Sequence, residues 1–220
     1  DEDRYRPGPP TNWKRHLAIP DGGSALFDLG AHLLDQVYLL FGMPRAVHAR
    51  LLDQRAAQTD CHNPDAVSAQ LVYPDGKLVH VRISALSAET PQPRFWIRGL
   101  AGSFRTSGLD PQEDQLRAGM SPLDPAFGRQ DPGSMRLLLV DTAQADQPQA
   151  QAQPQPQMRD APVPELPPQT YRAFYAAFAK AVETGSEDHL PVRPSEAIHV
   201  LRLLEAVVES AKTGRDVVFA

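Results

Sequence analysis

Residues 22–42, GGSALFDLGAHLLDQVYLLFG, constrain this chain more than any other stretch. Leu26, Leu29, Leu33, Val37 and Leu40 recur every three or four positions, the period of one helix face. Ser24 is a residue type that caps the first free N–H groups of a helix, and Gly42 followed by Pro44 is a stop signal. A second stripe lies beside the apolar one. Asp28 and His32 are four apart and Asp35 is three further on, so all three project from one side. No Lys, Arg or Glu stands between residues 22 and 42 to make an ordinary wet face.

An Asp that accepts from an imidazole N–H fixes the tautomer and supports an imidazolium. Such a pair could act as an oriented acid/base beside a substrate hydroxyl. A solvated i,i+4 pair with a few tenths of a kcal/mol of helix support is the bland alternative on spacing alone.

The residues themselves carry more than their spacing. GGSALFDLGAHLLDQ resembles the GGG-x-L-x-D-x-G-x-H-x-x-D stretch of the Gfo/Idh/MocA oxidoreductases, with Ser24 where a third glycine often sits. That resemblance implies that the stretch opens a substrate-binding domain. It implies catalytic roles for Asp28 and His32, beside a lysine of a nucleotide-binding domain. Asp35 fits a substrate contact or a helix-to-loop hydrogen bond. Trp13 and Arg15, just upstream, could touch an anionic or hydroxylated ligand, or could be a packed aromatic with a solvated neighbour. The same resemblance extends over Asp3 to Pro7, over Asp110 to Gly119 (DPQEDQLRAG) and over the spacing from Pro191 to Ala206.

The resemblance implies an α+β fold like the C-terminal domain of glyceraldehyde-3-phosphate dehydrogenase. Pattern alone agrees on an open, mainly antiparallel sheet with helices packed on one face. Residues 46–52, 66–73, 78–86, 95–98, 103–105 and 135–140 read as strands, most joined by short turns such as Pro74-Asp75-Gly76. Residues 170–184 and 195–212 read as helices closed by Gly185 and Gly214. Tyr171, Phe174, Tyr175 and Phe178 form an aromatic stripe expected in the core. Val217 to Phe219 could add a last strand. Residues 144–169 are dominated by Gln, Pro and Ala and read as a flexible insert within one domain spanning 1–220.

Composition excludes several classes. The 220 residues are 41% hydrophobic, enough for one core, and carry net charge −5 with no long basic run, which argues against nucleic acid. The apolar runs are too short for a bilayer. A lone Cys61 excludes an intrachain disulfide and suits a cytoplasmic setting. Asp60-Cys61-His62 has no second ligand at metal spacing and reads as a loop.

Hydride chemistry needs NAD or NADP, yet no G-x-G-x-x-G follows a strand here. The chain begins without Met and without a signal peptide. The expectation is therefore the second half of a longer enzyme, lacking its Rossmann domain, inactive alone and bound to the cofactor mainly through that other half. A sugar or polyol substrate and a homodimer through the open sheet face follow from the resemblance. Two readings from other classes stand beside it. One is a non-catalytic dimerisation or binding module. The other is a hydrolase or lyase with a metal on Asp28, His32 and Asp35.

Overall fold

A computed structural model describes residues 2–3, 17–55, 63–89, 92–141 and 157–219. The chain forms two compact units, Asp1–Thr90 with Val192–Ala220, and Pro91–Pro191. Trp13, Arg15, Cys61, His62 and residues 142–156 lie outside the described residues.

The first unit holds a five-stranded sheet in the order β1-β4-β3-β2-β9, with β1 Glu2–Asp3, β2 Ala46–Leu52, β3 Ala66–Val72, β4 Leu78–Ser84 and β9 Val217–Val218. All pairs are antiparallel except β1 with β4. Period two decides the faces. Val47, Leu71 and Val79 stand in one cross-strand row, Ala49, Ala69 and Val81 in the next, and Leu51, Val67 and Ile83 in the third. These rows pack on helix α1 (Ala31–Phe41) and helix α4 (Pro194–Thr213), which supply Leu33, Leu34, Val37, Leu203, Leu204 and Val207. The alternate rows, such as His48, Gln70 and His80, turn polar groups to the other side. Alternation of this kind is the mark of a half-buried antiparallel sheet.

Beyond Val47, β2 has no further partner in β9, and a side chain completes the edge. The fully buried Ser210 hydroxyl of α4 accepts from the Ala49 N–H at 2.9 Å and donates to the Arg215 carbonyl at 2.7 Å. Helix α4 starts one residue earlier than its sequence signals suggest. Pro194 takes the first position, where its missing N–H costs nothing, and the Glu196 carboxylate accepts from the Arg193 N–H at 2.8 Å. Gly214 ends it with φ 69°.

The second unit holds a four-stranded antiparallel sheet, β5 Pro93–Arg98, β6 Gly102–Ser107, β7 Met135–Val140 and β8 Met158–Ala161, in that order. The strands expected to share one sheet thus form two. Strand β8 lies in the stretch read from sequence as insert. It pairs with β7, and the Arg136 guanidinium holds the Asp160 carboxylate across the ladder at 2.7 and 3.1 Å. Helix α2 (Gln112–Arg117) and helix α3 (Tyr171–Thr184) complete the unit. Among its described residues only Gln112, Phe127 and Ala181 are buried, and no residue of β5–β8 is. The aromatic stripe expected in the core is therefore exposed, along α3.

Candidate active site

The helix that carries Asp28 and His32 enters through a turn that tolerates few residues. Gly22 closes a 3-10 turn, Ile19–Asp21, at φ 82°. Gly23 follows with its N–H on the Ala18 carbonyl at 2.9 Å. A Cβ there would lie 1.6 Å from the Leu17 carbonyl oxygen, so only glycine fits. Ser24 is next, at φ 89°, the left-handed region that side chains disfavour. Its hydroxyl accepts from the Leu26 N–H at 3.3 Å, the capping bond its residue type offers.

This entry is strapped to the segment that leads into β3. The Ala25 N–H donates to the Pro64 carbonyl at 3.0 Å, and the Asn63 side-chain amide donates to the Leu17 carbonyl at 2.8 Å. The strap is itself anchored by a buried ion pair. Arg55 and Asp65, 7% and 3% exposed, meet at 2.5 Å, and the Gln54 N–H donates to the other Asp65 oxygen at 2.8 Å. Sequence reasoning missed this device. Asn63, Pro64 and Asp65 carry no periodic signal, and Arg55 meets its partner only through the fold.

The expected uniform helix is not uniform. Leu26–Gly30 forms a π turn, closed by the Ala31 N–H on the Leu26 carbonyl, before α1 begins. An i→i+5 turn is wider than an α turn and recurs at functional sites. Residues four apart overshoot a full turn by about 40° in an α-helix, and the wider turn works against that overshoot, so Asp28 and His32, which straddle the junction, fall closer to a common line. Gly30, in this turn, packs closely: a Cβ there would lie 2.9 Å from Leu26 and 3.3 Å from Ile83.

Asp28 is half-buried; His32 and Asp35 are exposed on successive turns. Among the described residues no side-chain hydrogen bond joins Asp28 to His32. The helix end is tied down as firmly as its start. Gly42 donates to the Tyr38 carbonyl at 2.8 Å and accepts from the Tyr73 hydroxyl at 3.2 Å. The Tyr38 hydroxyl lies 2.8 Å from His199 Nδ1 on α4. The arrangement is a rigid helix presenting a half-buried carboxylate and an open imidazole to a surface.

A Cβ on Gly102 would lie 2.3 Å from the Leu138 carbonyl oxygen, and one on Gly23 would meet Leu17, so both glycines serve close backbone packing. Among the described residues no group of three or more His, Cys, Asp or Glu could hold a metal ion. No described helix is long and apolar enough to cross a membrane.

A polar stripe on a π-started helix packed on an antiparallel sheet is the candidate site of this α+β domain. The chain belongs to the oxidoreductase family whose C-terminal alpha/beta domain it matches over residues 2–219. It is 32% identical to scyllo-inositol 2-dehydrogenase (NADP(+)) of Bacillus subtilis, over 97% of this chain and 54% of that protein. It is 28% identical to D-xylose 1-dehydrogenase (NADP(+)) 2 of Haloferax volcanii, over 90% and 49%. Of solved structures, the oxidoreductase yvaA of Bacillus subtilis superposes with TM-score 0.80 at 29% identity, over 99% of this chain and 56% of that one. The chain spans about half the length of the curated relatives it matches.

Proposed function

We propose that this chain is the substrate-binding half of an NAD(P)-dependent dehydrogenase that oxidises an alcohol of a sugar or polyol. The observation that carries the reading is the π-started helix, strapped at both ends, with Asp28 and His32 one turn apart on it. The names of the inositol and xylose dehydrogenases support the substrate class. The nicotinamide cofactor, held by a nucleotide-binding half, supplies the hydride acceptor.

This chain's residues handle the proton and the substrate. His32 takes the hydroxyl proton as the alcohol carbon becomes a carbonyl, and Asp28 stabilises the imidazolium. Asp35, exposed on the next turn, accepts from a second substrate hydroxyl. Trp13 and Arg15 add contacts from the lead-in. In this reading the chain turns over nothing without the cofactor half, because the cofactor carries the hydride chemistry. The enzyme is cytoplasmic in this reading.

The sheet of the second unit supports a homodimer. No residue of β5–β8 is fully buried, and Trp96, 64% exposed, stands beside Arg98 at 4.5 Å. A second copy across this sheet would give the unit the core it lacks.

The test is turnover of the full-length enzyme with sugars and polyols. His32→Ala and Asp28→Ala should each lower kcat by about 10²–10⁴-fold, the usual worth of a positioned acid/base, with substrate binding largely kept. Intact turnover in both would overturn the proton role and leave a binding module.

A further inference from the structure

We propose that the second unit holds a binding site for a short apolar peptide with free ends, in a cavity whose lining contains no residue of the site helix. The cavity has a volume of about 650 Å³, within the roughly 300–1,000 Å³ of small-molecule sites. Phe104 and Met135 line it from the sheet, and the β6–β7 register puts both on one face. Every residue of 163–169, VPELPPQ, lines it as well. That segment runs between β8 and α3 and forms neither helix nor strand. Its prolines, Pro164, Pro167 and Pro168, lack an N–H for a ladder and hold φ near −65°. The segment is therefore stiff and cannot close onto the sheet as a further strand.

The walls are tied together before any ligand arrives. The buried Gln112 donates from its amide to the Gln169 carbonyl at 3.3 Å, and its oxygen accepts from the Tyr171 N–H at 2.9 Å. Gly128 is packed against the same segment. A Cβ there would lie 3.0 Å from Thr170 and 3.2 Å from Pro168. A ligand that enters walls held in this way has little chain to order, which lowers the cost of binding.

The polar groups on the lining select the occupant. Asp110 is spent, with both oxygens on Gln112. Arg129 donates from Nε to the Pro125 carbonyl at 3.0 Å and leaves its two terminal amino groups open. Among the described residues nothing bonds the Glu165 carboxylate, and no ion pair joins it to Arg129. Opposite charges that line one cavity without meeting fit a ligand that carries both. An acid alone would face Glu165, and an amine alone would face Arg129. Gln130, on the same lining, has an open amide with a donor and an acceptor, as a peptide bond requires. Phe104, Met135, Val163 and Leu166 offer apolar contact to side chains, and Leu166 is 78% exposed until something covers it. A dipeptide such as leucyl-phenylalanine matches each of these groups.

The experiment is equilibrium dialysis of the full-length protein against leucyl-phenylalanine in four forms: free, N-acetylated, C-amidated and blocked at both ends. The free peptide should bind at a single site. Blocking either end should weaken it by about three- to tenfold, the usual worth of one charged contact at a partly open site. Arg129→Gln should weaken the free peptide and leave it no tighter than the amide. Glu165→Gln should do the same against the acetylated form. Each variant thus loses its sensitivity to one end and keeps it to the other, a crossed pattern that a fault in folding does not produce. Equal binding of all four forms overturns the proposal, and so does a variant that weakens them alike or weakens none. Free peptide that stays unbound at millimolar concentration overturns it too. The readout is binding alone, so it stands or falls apart from the proton role of His32.

Discussion

The side-chain oxygen of Gln112 accepts a hydrogen bond from the backbone N–H of Tyr171 at 2.9 Å, across 59 positions of sequence. The same amide donates to Asp110 at 2.8 Å and to the Gln169 carbonyl at 3.3 Å. Gln115, three residues on, accepts from the Gly128 N–H at 2.7 Å. The DPQEDQL run thus has a structural task, pinning the long loop before β7 and the start of α3. Gln112→Leu should cost about 1–3 kcal/mol, because it strands buried polar groups. Chemical denaturation with the α3 amides followed by exchange checks it.

At the entry of the site helix two neighbouring substitutions should differ in kind. Gly23→Ala places a methyl on the Leu17 carbonyl and must displace the turn, at about 2 kcal/mol or more. Ser24→Gly removes the strain of φ 89° and loses the bond to Leu26. These effects largely cancel, for a net change within about 1 kcal/mol. Urea midpoints of the two variants, with turnover of the full-length enzyme, check the contrast.

The buried Arg55–Asp65 pair should be unforgiving of a single deletion. Asp65→Ala leaves a guanidinium 7% exposed without its carboxylate, a loss of about 3–5 kcal/mol. By contrast Asp75→Ala, which breaks exposed contacts to the Lys77 ammonium and backbone N–H, should cost far less. Denaturation midpoints measured side by side decide it.

Tyr73 predicts an alkaline limb. Burial of its phenol, with Asp75 nearby, pushes its pKa up to about 12 from the ordinary value near 10. The folded state therefore holds this proton more tightly than the unfolded chain does. The contribution is fully present below pH 10 and is lost as pH rises through 12. Ultraviolet titration of the phenols should show one group ionising near 12, and Tyr73→Phe should remove it and flatten the alkaline fall in Tm.

The legible parts of this fold share one cause. Where a segment buries one side, periodicity writes itself into the sequence, as in β2, β3, α1 and α4. The place of Asp28 and His32 one turn apart on one helical segment was legible because the motif and the helix period agree. The division into two sheets was not, since alternation says which face is buried and not which strands share a ladder. Strand β8 has no apolar signature; its register rests on Arg136 and Asp160, distant in sequence. The close approach of Gly30 to Ile83 joins positions distant in sequence, which no local pattern carries. The aromatic stripe of α3 follows a core pattern, yet in this chain it is uncovered.

The first unit is assembled from two separate stretches of the chain, Asp1–Thr90 and Val192–Ala220. Strands β2 to β4 and α1 leave the ribosome well before α4, which carries the fully buried Leu203, Val207 and Ser210. About 100 residues intervene. At ordinary synthesis rates that is a wait of roughly 5–20 s with the α4-facing side of the core open to water. Nascent chains stalled before α4 should therefore be bound by chaperones, and release should come with the last helix.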